Sequence, residues 1–326
     1  MKRNNQDESG EPKQIAGDGI DRRNFLQCMA WAGTGLVWSM VAGVPTSKLL
    51  ADTKGSSPVK TGKVEDFSFV QISDSHIGFN KAANQNVTGT LQKTIEKINT
   101  PGMKQPDFMI HTGDITQNSK PTEFDTAVQV IKGAKAGQVF YVPGEHDFAL
   151  DDGEQYKQRF GKGTLGNGWY SHNYKGVHFV GLNNVVQVDA MGNLGADQLA
   201  WLKADLSDLS SSTPVVVFAH IPLWMVYEKW GWGTQDGATA LAYLKRFGSV
   251  TVLNGHIHQV VQKVEGNVSF HTAMSTAFPQ PAPGAAPGPG PMAVPAGKLE
   301  SVLGVTDVKV VRGHTHLAVI DSTLAV

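Results

Sequence analysis

One local arrangement occurs five times in this chain: an apolar, β-rich run that ends in a carboxylate or an imidazole. FSFVQIS leads to Asp74-Ser75-His76, DFMIHT to Gly113-Asp114, and QVFYVP to Gly144-Glu145-His146-Asp147. PVVVFA leads to His220, and SVTVLN to Gly255-His256-Ile257-His258. Short apolar runs without polar alternation belong to strands buried on both faces, as in a mostly parallel sheet covered by helices. Sites in open α/β sheets are built where such strands end. Oxygen and imidazole donors without thiolates suit Zn, Mn, Fe or a similar divalent ion. One such segment would carry little weight, but five in phase predict a metal site.

The order Asp-x-His, Gly-Asp, Gly-x-His-Asp, His, Gly-His-x-His resembles the calcineurin-like metallophosphoesterase superfamily over residues 64–258. The resemblance implies an α/β fold: a four-layer α-β-β-α sandwich, two mixed sheets flanked by helices, over residues 64–326. It implies two adjacent metal ions, divalent or mixed-valence, drawn from Mn, Fe or Zn. Asp74, His76, Asp114 and His258 would hold the first, and Asp114 would bridge to the second, completed by Glu145, His220 and His256. His146 would stand beside them as proton donor, with Asp147 to orient it. The implied reaction is hydrolysis of a small phosphate mono- or diester by metal-activated hydroxide. An anionic ester repels hydroxide, and two cations roughly 3.5–4 Å apart both neutralise it and generate the nucleophile from water.

Two positions depart from the family pattern. Glu145 stands where most members carry the Asn of a Gly-Asn-His motif. A carboxylate there adds charge and a methylene of reach, and favours tighter binding of a harder ion. Gln117 stands where the purple acid phosphatase branch carries Tyr, which argues against the ferric-phenolate chemistry of that branch.

The net charge is −1, without a basic cluster beyond the N-terminus, so a nuclease steered along a phosphate backbone is disfavoured and no nucleic-acid partner is expected. The single cysteine, Cys28, excludes both a disulfide and a thiolate metal site within the chain. Residues 1–51 read as an export signal. The segment Asp21-Arg22-Arg23-Asn24-Phe25-Leu26 precedes an apolar stretch over 29–44, which resembles a twin-arginine signal and implies export machinery as a partner. The stretch falls short of the roughly 20 apolar residues that span a membrane. Val41-Ala42-Gly43 or the region ending at Ala51 would serve for cleavage, and an uncut signal would tether the protein. Periplasmic or extracytoplasmic localisation follows. Cys28 follows Leu-Gln and precedes the apolar stretch, which argues against lipidation. Residues 52–63 are a polar linker.

Apolar spacing predicts helices over 84–99, 123–134, 195–209 and 236–247, and a hairpin over 169–182 turning at Lys175-Gly176. Strands are expected on either side of Glu265-Gly266-Asn267, over 305–311 and over 317–320. Two loops stand apart. Residues 223–235 gather Trp224, Tyr227, Trp230 and Trp232 directly after His220, either to contact substrate or to cover the core edge or a neighbouring subunit. The Pro/Gly-rich segment 279–297 is neither helix nor strand, and reads as a solvated excursion or a lid. His111, His172, His178 and His271 read as structural. His314 and His316 share one strand face without an evident carboxylate partner. The rival to an exported phosphoesterase is a metal-binding, catalytically silent module of the same fold. All seven ligand positions hold competent donors, which favours the enzyme. The oligomeric state is not written in the sequence.

Overall fold

The five apolar runs become parallel strands of two sheets, as the resemblance implies, with the run over 138–141 at a sheet edge. A computed structural model describes residues 63–101, 104–186, 188 and 190–325, together with the strand backbones 36–41 and 44–49. The chain divides into two units, Met1–Lys54 and Gly55–Val326. In the first, β1 (Leu36–Val41) and β2 (Val44–Leu49) pair antiparallel. The Arg22-Arg23 pair, Cys28 and the 52–62 linker lie outside the described residues. No helix among the described residues is long and apolar enough to cross a membrane.

In the second unit one sheet joins β3 (Phe67–Ile72), β4 (Phe108–His111) and β5 (Gln138–Tyr141), all parallel. The other sheet contains β6 (Tyr170–Tyr174), β7 (Val177–Gly181), β8 (Val215–Phe218), β9 (Val250–Asn254), β10 (Gln262–Glu265) and β11 (Val268–Thr272). Its order is β10-β11-β9-β8-β7-β6, with antiparallel strands only at the two edges. The C-terminal strands β12 (Gly304–Val310) and β13 (Ala318–Thr323) return antiparallel to the first sheet, giving the order β13-β12-β3-β4-β5.

Helices cover both outer faces. Those of the first sheet are α1 (Val87–Ile98), α2 (Pro121–Ile131) and the short α3 (Glu154–Phe160), which lacks a clear apolar period in the sequence. Asn86 starts α1 by accepting a hydrogen bond from Gly89 N at 2.9 Å, and the predicted apolar stripe of Val87, Leu91, Ile95 and Ile98 is buried. Pro121 occupies the first turn of α2, where a missing N–H costs nothing. Helices α4 (Ala196–Ser207) and α5 (Gly237–Leu244) cover the second sheet, with Leu202 and Leu206 buried and Leu199 and Leu209 packed at the margin.

Between the sheets lies an aromatic layer. Phe69 and Phe108 stack with centroids 4.9 Å apart, and Phe179 meets Phe69 edge-on at 5.6 Å. Truncating one such fully buried ring costs about 3–5 kcal/mol. The fold is therefore the four-layer sandwich, and the carboxyl ends of β3, β4, β5, β8 and β9 open onto one rim.

Candidate metal centre

The loops leaving these strands are stitched together before any ligand is considered. After β3 and β4, pairing continues through Asp74 N to Gly113 O (3.0 Å) and His76 N to Asp114 O (2.9 Å). After β8 and β9, Gly255 N donates to His220 O at 3.0 Å. The sheets are joined by Thr276 N to Ser73 O (3.0 Å) and by Gln71 Nε2, which donates to Thr112 Oγ1 (3.0 Å) and Asn254 O (3.1 Å).

The turns that aim the side chains are strained. Asp74, His76, Asp114, His256 and His258 have φ of 54°, 43°, 52°, 72° and 53°, the left-handed region that residues with a Cβ avoid. Such strain costs of order 1–3 kcal/mol per residue and persists where the surroundings over-determine it. Two motif glycines are required by close approach. A Cβ on Gly144 would lie 2.0 Å from Asp114 Oδ1, and one on Gly255 would lie 2.0 Å from Ser73 Oγ and 2.6 Å from Asp74 Oδ2.

All seven residues singled out as ligands converge, and all but His256 are almost fully buried. One group is Asp74, His76 and His258: His258 Nε2 lies 3.3 Å from Asp74 Oδ1 and 3.2 Å from His76 Nε2. The other is Glu145, His220 and His256: the Glu145 oxygens lie 2.9 Å from His220 Nε2 and 3.0 Å from His256 Nδ1. Asp114 stands between them, its Oδ2 3.5 Å from His76 Nε2 and 3.4 Å from His220 Nε2. Glu145 Oε2, His220 Nε2 and His256 Nδ1 have no hydrogen-bond partner despite this proximity. Donor atoms crowded in this way fit a shared cation, which would take the place of the proton that Asp114 and Glu145 hold on His220 without it.

Backbone carbonyls orient the rings from behind. His220 Nδ1 donates to Thr112 O at 2.7 Å and His258 Nδ1 to Phe278 O at 2.6 Å, which leaves each Nε2 as a donor atom for a metal. Phe278 also packs on the His76 and His258 rings, with centroids 4.8 Å from both. The charges are mutually supporting. Burial works against a charged Glu145, but His256 and His220 outweigh it and hold the carboxyl well below its ordinary range. Burial likewise opposes the His220 cation and is overcome by Asp114 and Glu145, which raise it well above its ordinary value. His76, dominated by burial, is pushed down to about 3 and is neutral.

His146 stands beside the cluster. Its backbone N donates to Asp114 Oδ1 at 3.0 Å and its ring Nδ1 lies 2.9 Å from Gln117 O, so Nε2 is left for the cavity. Burial depresses the ring, but Asp114 and Glu145 prevail and its pKa is raised.

Asp147 does not orient His146, contrary to the expectation from its position in the motif. Its two oxygens accept from Ile115 N (3.1 Å), Thr116 N (2.9 Å), Thr116 Oγ1 (2.9 Å) and Gly144 N (3.0 Å). It is a buried tie between the loop carrying Asp114 and the loop carrying Glu145. Burial, then the Asp114 charge, push it up to about 7 against the pull of those N–H groups.

Other histidines separate from the site. His111 lies beneath it, accepting from Gly113 N (3.3 Å) and meeting Ser75 Oγ (2.8 Å). His172 stacks on Phe140 at 4.0 Å, His178 pairs with Asp205 at 2.8 Å, and His271 with Asp321 at 2.9 Å. His314 and His316 lie in the turn between β12 and β13 rather than on a strand, and belong to no donor group among the described residues.

A cavity of about 290 Å³ opens over the cluster. His76, Asp114, Glu145, His146 and His256 form its floor. Phe79, Phe278, Trp230, Trp232, Pro289 and Pro291 contribute apolar surface, and Lys81 is the one Lys or Arg among its described lining. The 223–235 loop thus divides its aromatics: Trp224 packs on Phe270 in the core at 4.7 Å, while Trp230 and Trp232 reach the cavity. The Pro/Gly-rich segment also reaches it. The composition of 279–297 marked the proline wall as a candidate lid, but the particular contacts of Phe278 and Gln280 carry no sequence signal, because their partners lie at least 20 positions away in the chain.

The calcineurin-like phosphoesterase family model matches residues 67–260. The chain belongs to that family. It is a metal-dependent phosphoester hydrolase. A probable glycerophosphodiester phosphodiesterase from Arcobacter nitrofigilis is 26% identical over 223 residues, 63% of this chain and 77% of the relative. A probable cyclic nucleotide phosphodiesterase from Synechococcus sp. is 25% identical over 230 residues, 67% of this chain and 87% of the relative. Among solved structures, a dimetal phosphatase from Danio rerio shares the fold with a TM-score of 0.52 and 14% identity, over 79% of this chain and 99% of that one.

Proposed function

We propose that this chain is an exported phosphodiesterase that works with two metal ions. The observation that carries the reading is the pair of donor groups sharing Asp114. Asp74, His76, Asp114 and His258 would hold one ion, and Asp114, Glu145, His220 and His256 the other. Two cations held there would neutralise a phosphoryl group and supply a nucleophile from water near neutral pH. Glu145 adds a third carboxylate to Asp74 and Asp114, which favours Mn or Fe over Zn.

The chain's own residues supply the rest. His146 holds a proton at the cavity-facing Nε2 and gives it to the departing alkoxide, a contribution of about 10²–10⁴ in rate. Its Nδ1 lies 2.9 Å from Gln117 O and would donate there, which orients the ring. Phe79 and Phe278 exclude water from the floor. A single lysine, with no arginine, among the described lining residues suits the single charge of a diester better than the double charge of a monoester. The names of the two relatives, both phosphodiesterases, support the same choice.

A panel of mono- and diesters offered to the Mn-loaded protein tests this. Diesters should be preferred in kcat/KM; faster turnover of monoesters would reject the diester reading. Export rests on the Arg22-Arg23 pair before an apolar stretch. Replacing both arginines with lysine should leave active enzyme in the cytoplasm, and unchanged export would show that another signal is read.

A further inference from the structure

The wall of the cavity away from the donor cluster is built by two segments that the hydrolytic chemistry does not require. Trp230 ends a 3-10 turn (Glu228–Trp230) that Gly231 closes at φ 69°. Its partly buried ring is braced edge-on by Tyr227 at 5.2 Å and by the buried Trp232 at 5.0 Å, so its orientation is set before a ligand arrives. The second segment supplies Pro289, Gly290 and Pro291. It is held in place rather than hinged. Gln259 Nε2 donates to Gln280 O (3.1 Å) and Pro281 O (2.7 Å), and Met292 N donates to Pro279 O (2.9 Å). Gln280 Nε2 donates to the carbonyl of His256 at 3.1 Å, which ties this wall to a donor of the metal cluster.

An indole face and two proline rings offer flat, weakly polar surface and almost no hydrogen-bonding groups. A polyol entering there would give up hydrogen bonds to water without replacement, whereas a flat ring would gain stacking on an aromatic that has little entropy left to lose. The volume is at the small end of the roughly 300–1,000 Å³ typical of ligand pockets. It accommodates one ring beside the phosphoryl group.

We infer that the preferred diester carries a flat aromatic group on one ester oxygen, stacked on Trp230 with Pro289–Pro291 completing the slot, and that Trp230 is a specificity-determining residue. This rests on the phosphodiesterase reading, and its test separates the two. Methyl(phenyl)phosphinate and dimethylphosphinate are monoanions whose C–P bonds cannot be hydrolysed. Their binding to the full-length, Mn-loaded protein is measured by calorimetry, beside turnover of bis(4-nitrophenyl) phosphate.

Wild type should bind the methyl(phenyl) compound about tenfold or more tightly than the dimethyl compound, the value of one stacked ring. Trp230→Ala should shrink that ratio at least about fivefold with dimethylphosphinate affinity unchanged, and Trp230→Phe should restore most of it. Trp230→Leu, apolar but without a ring, carries the same test should the alanine variant lose its fold. A ratio that is insensitive to Trp230, or an equal loss for both compounds, overturns the inference even where diesters are hydrolysed. A Trp230-dependent ratio in a protein that hydrolyses no diester would sink the phosphodiesterase reading and leave the aromatic slot standing.

Discussion

Replacing Asp147 with alanine separates a structural tie from a catalytic partner. The wild-type carboxylate is fully buried and satisfies three backbone N–H groups and one hydroxyl. Leaving four buried donors unpaired costs about 1–3 kcal/mol each, or roughly 4–8 kcal/mol once water enters part of the space. Against this stands the relief of a buried charge facing Asp114. Its displacement from 3.8 to about 7 corresponds to about 4 kcal/mol at ~1.4 kcal/mol per tenfold. The net loss expected for the metal-free protein is therefore about 0–4 kcal/mol, read as a fall in the urea midpoint at unchanged slope. The Asp114 and Glu145 loops lose their common anchor, so metal should also leave faster to a chelator. Asp147→Asn keeps one acceptor oxygen and removes the charge, and should fall between alanine and wild type. Wild-type midpoint and wild-type chelator resistance in Asp147→Ala would refute the tie.

Glu145→Asn should weaken metal retention and change metal preference while keeping some hydrolysis, and Glu145→Ala should lose the second ion and most activity. Two metals with native chelator resistance in both variants would remove Glu145 from the ligand set. At the far edge of the second sheet, burial works against the Asp205 carboxylate, but His178 and then Ser171 outweigh it and lower its pKa. A carboxyl held lower in the folded state than its ordinary 3.8 stabilises the protein above about pH 4, and that contribution disappears as the pH falls further. Asp205→Asn should therefore cost about 1–2 kcal/mol near pH 6 and flatten the loss below pH 4; parallel acid-unfolding curves would contradict this.

The site was largely legible because its parts are short. Each donor lies at the end of an apolar run, and buried parallel strands must release polar residues at their carboxyl ends. Which seven donors meet was carried over from the resemblance to the metallophosphoesterase motifs, and the strands alone would not have chosen them. What escaped the sequence was contact between remote segments. Asp147 sits in the right motif, but its bonding partners, the amides of Ile115 and Thr116, are 31–32 positions away. Phe278 and Gln280 act through a carbonyl and an amide on segments without a motif. The apolar runs alone did not divide the strands between two sheets, a division that came from the resemblance, because local apolarity marks burial and carries no information on which neighbour a strand pairs with. The C-terminal strands β12 and β13, which complete the first sheet, were visible as strands but not as members of it. His314 and His316 alternate like strand residues, yet Gly313 at φ 83° turns the chain there.

The central claim is that two ions share Asp114. Metal content of the purified protein by elemental analysis, alongside Asp114→Asn, tests it most directly. The account predicts two metal ions per chain in wild type, loss of metal and diester hydrolysis together in the variant, and restoration of neither by excess Mn at concentrations that saturate wild type. Wild-type metal content and hydrolysis in Asp114→Asn, or wild-type hydrolysis that survives complete removal of metal, would contradict it.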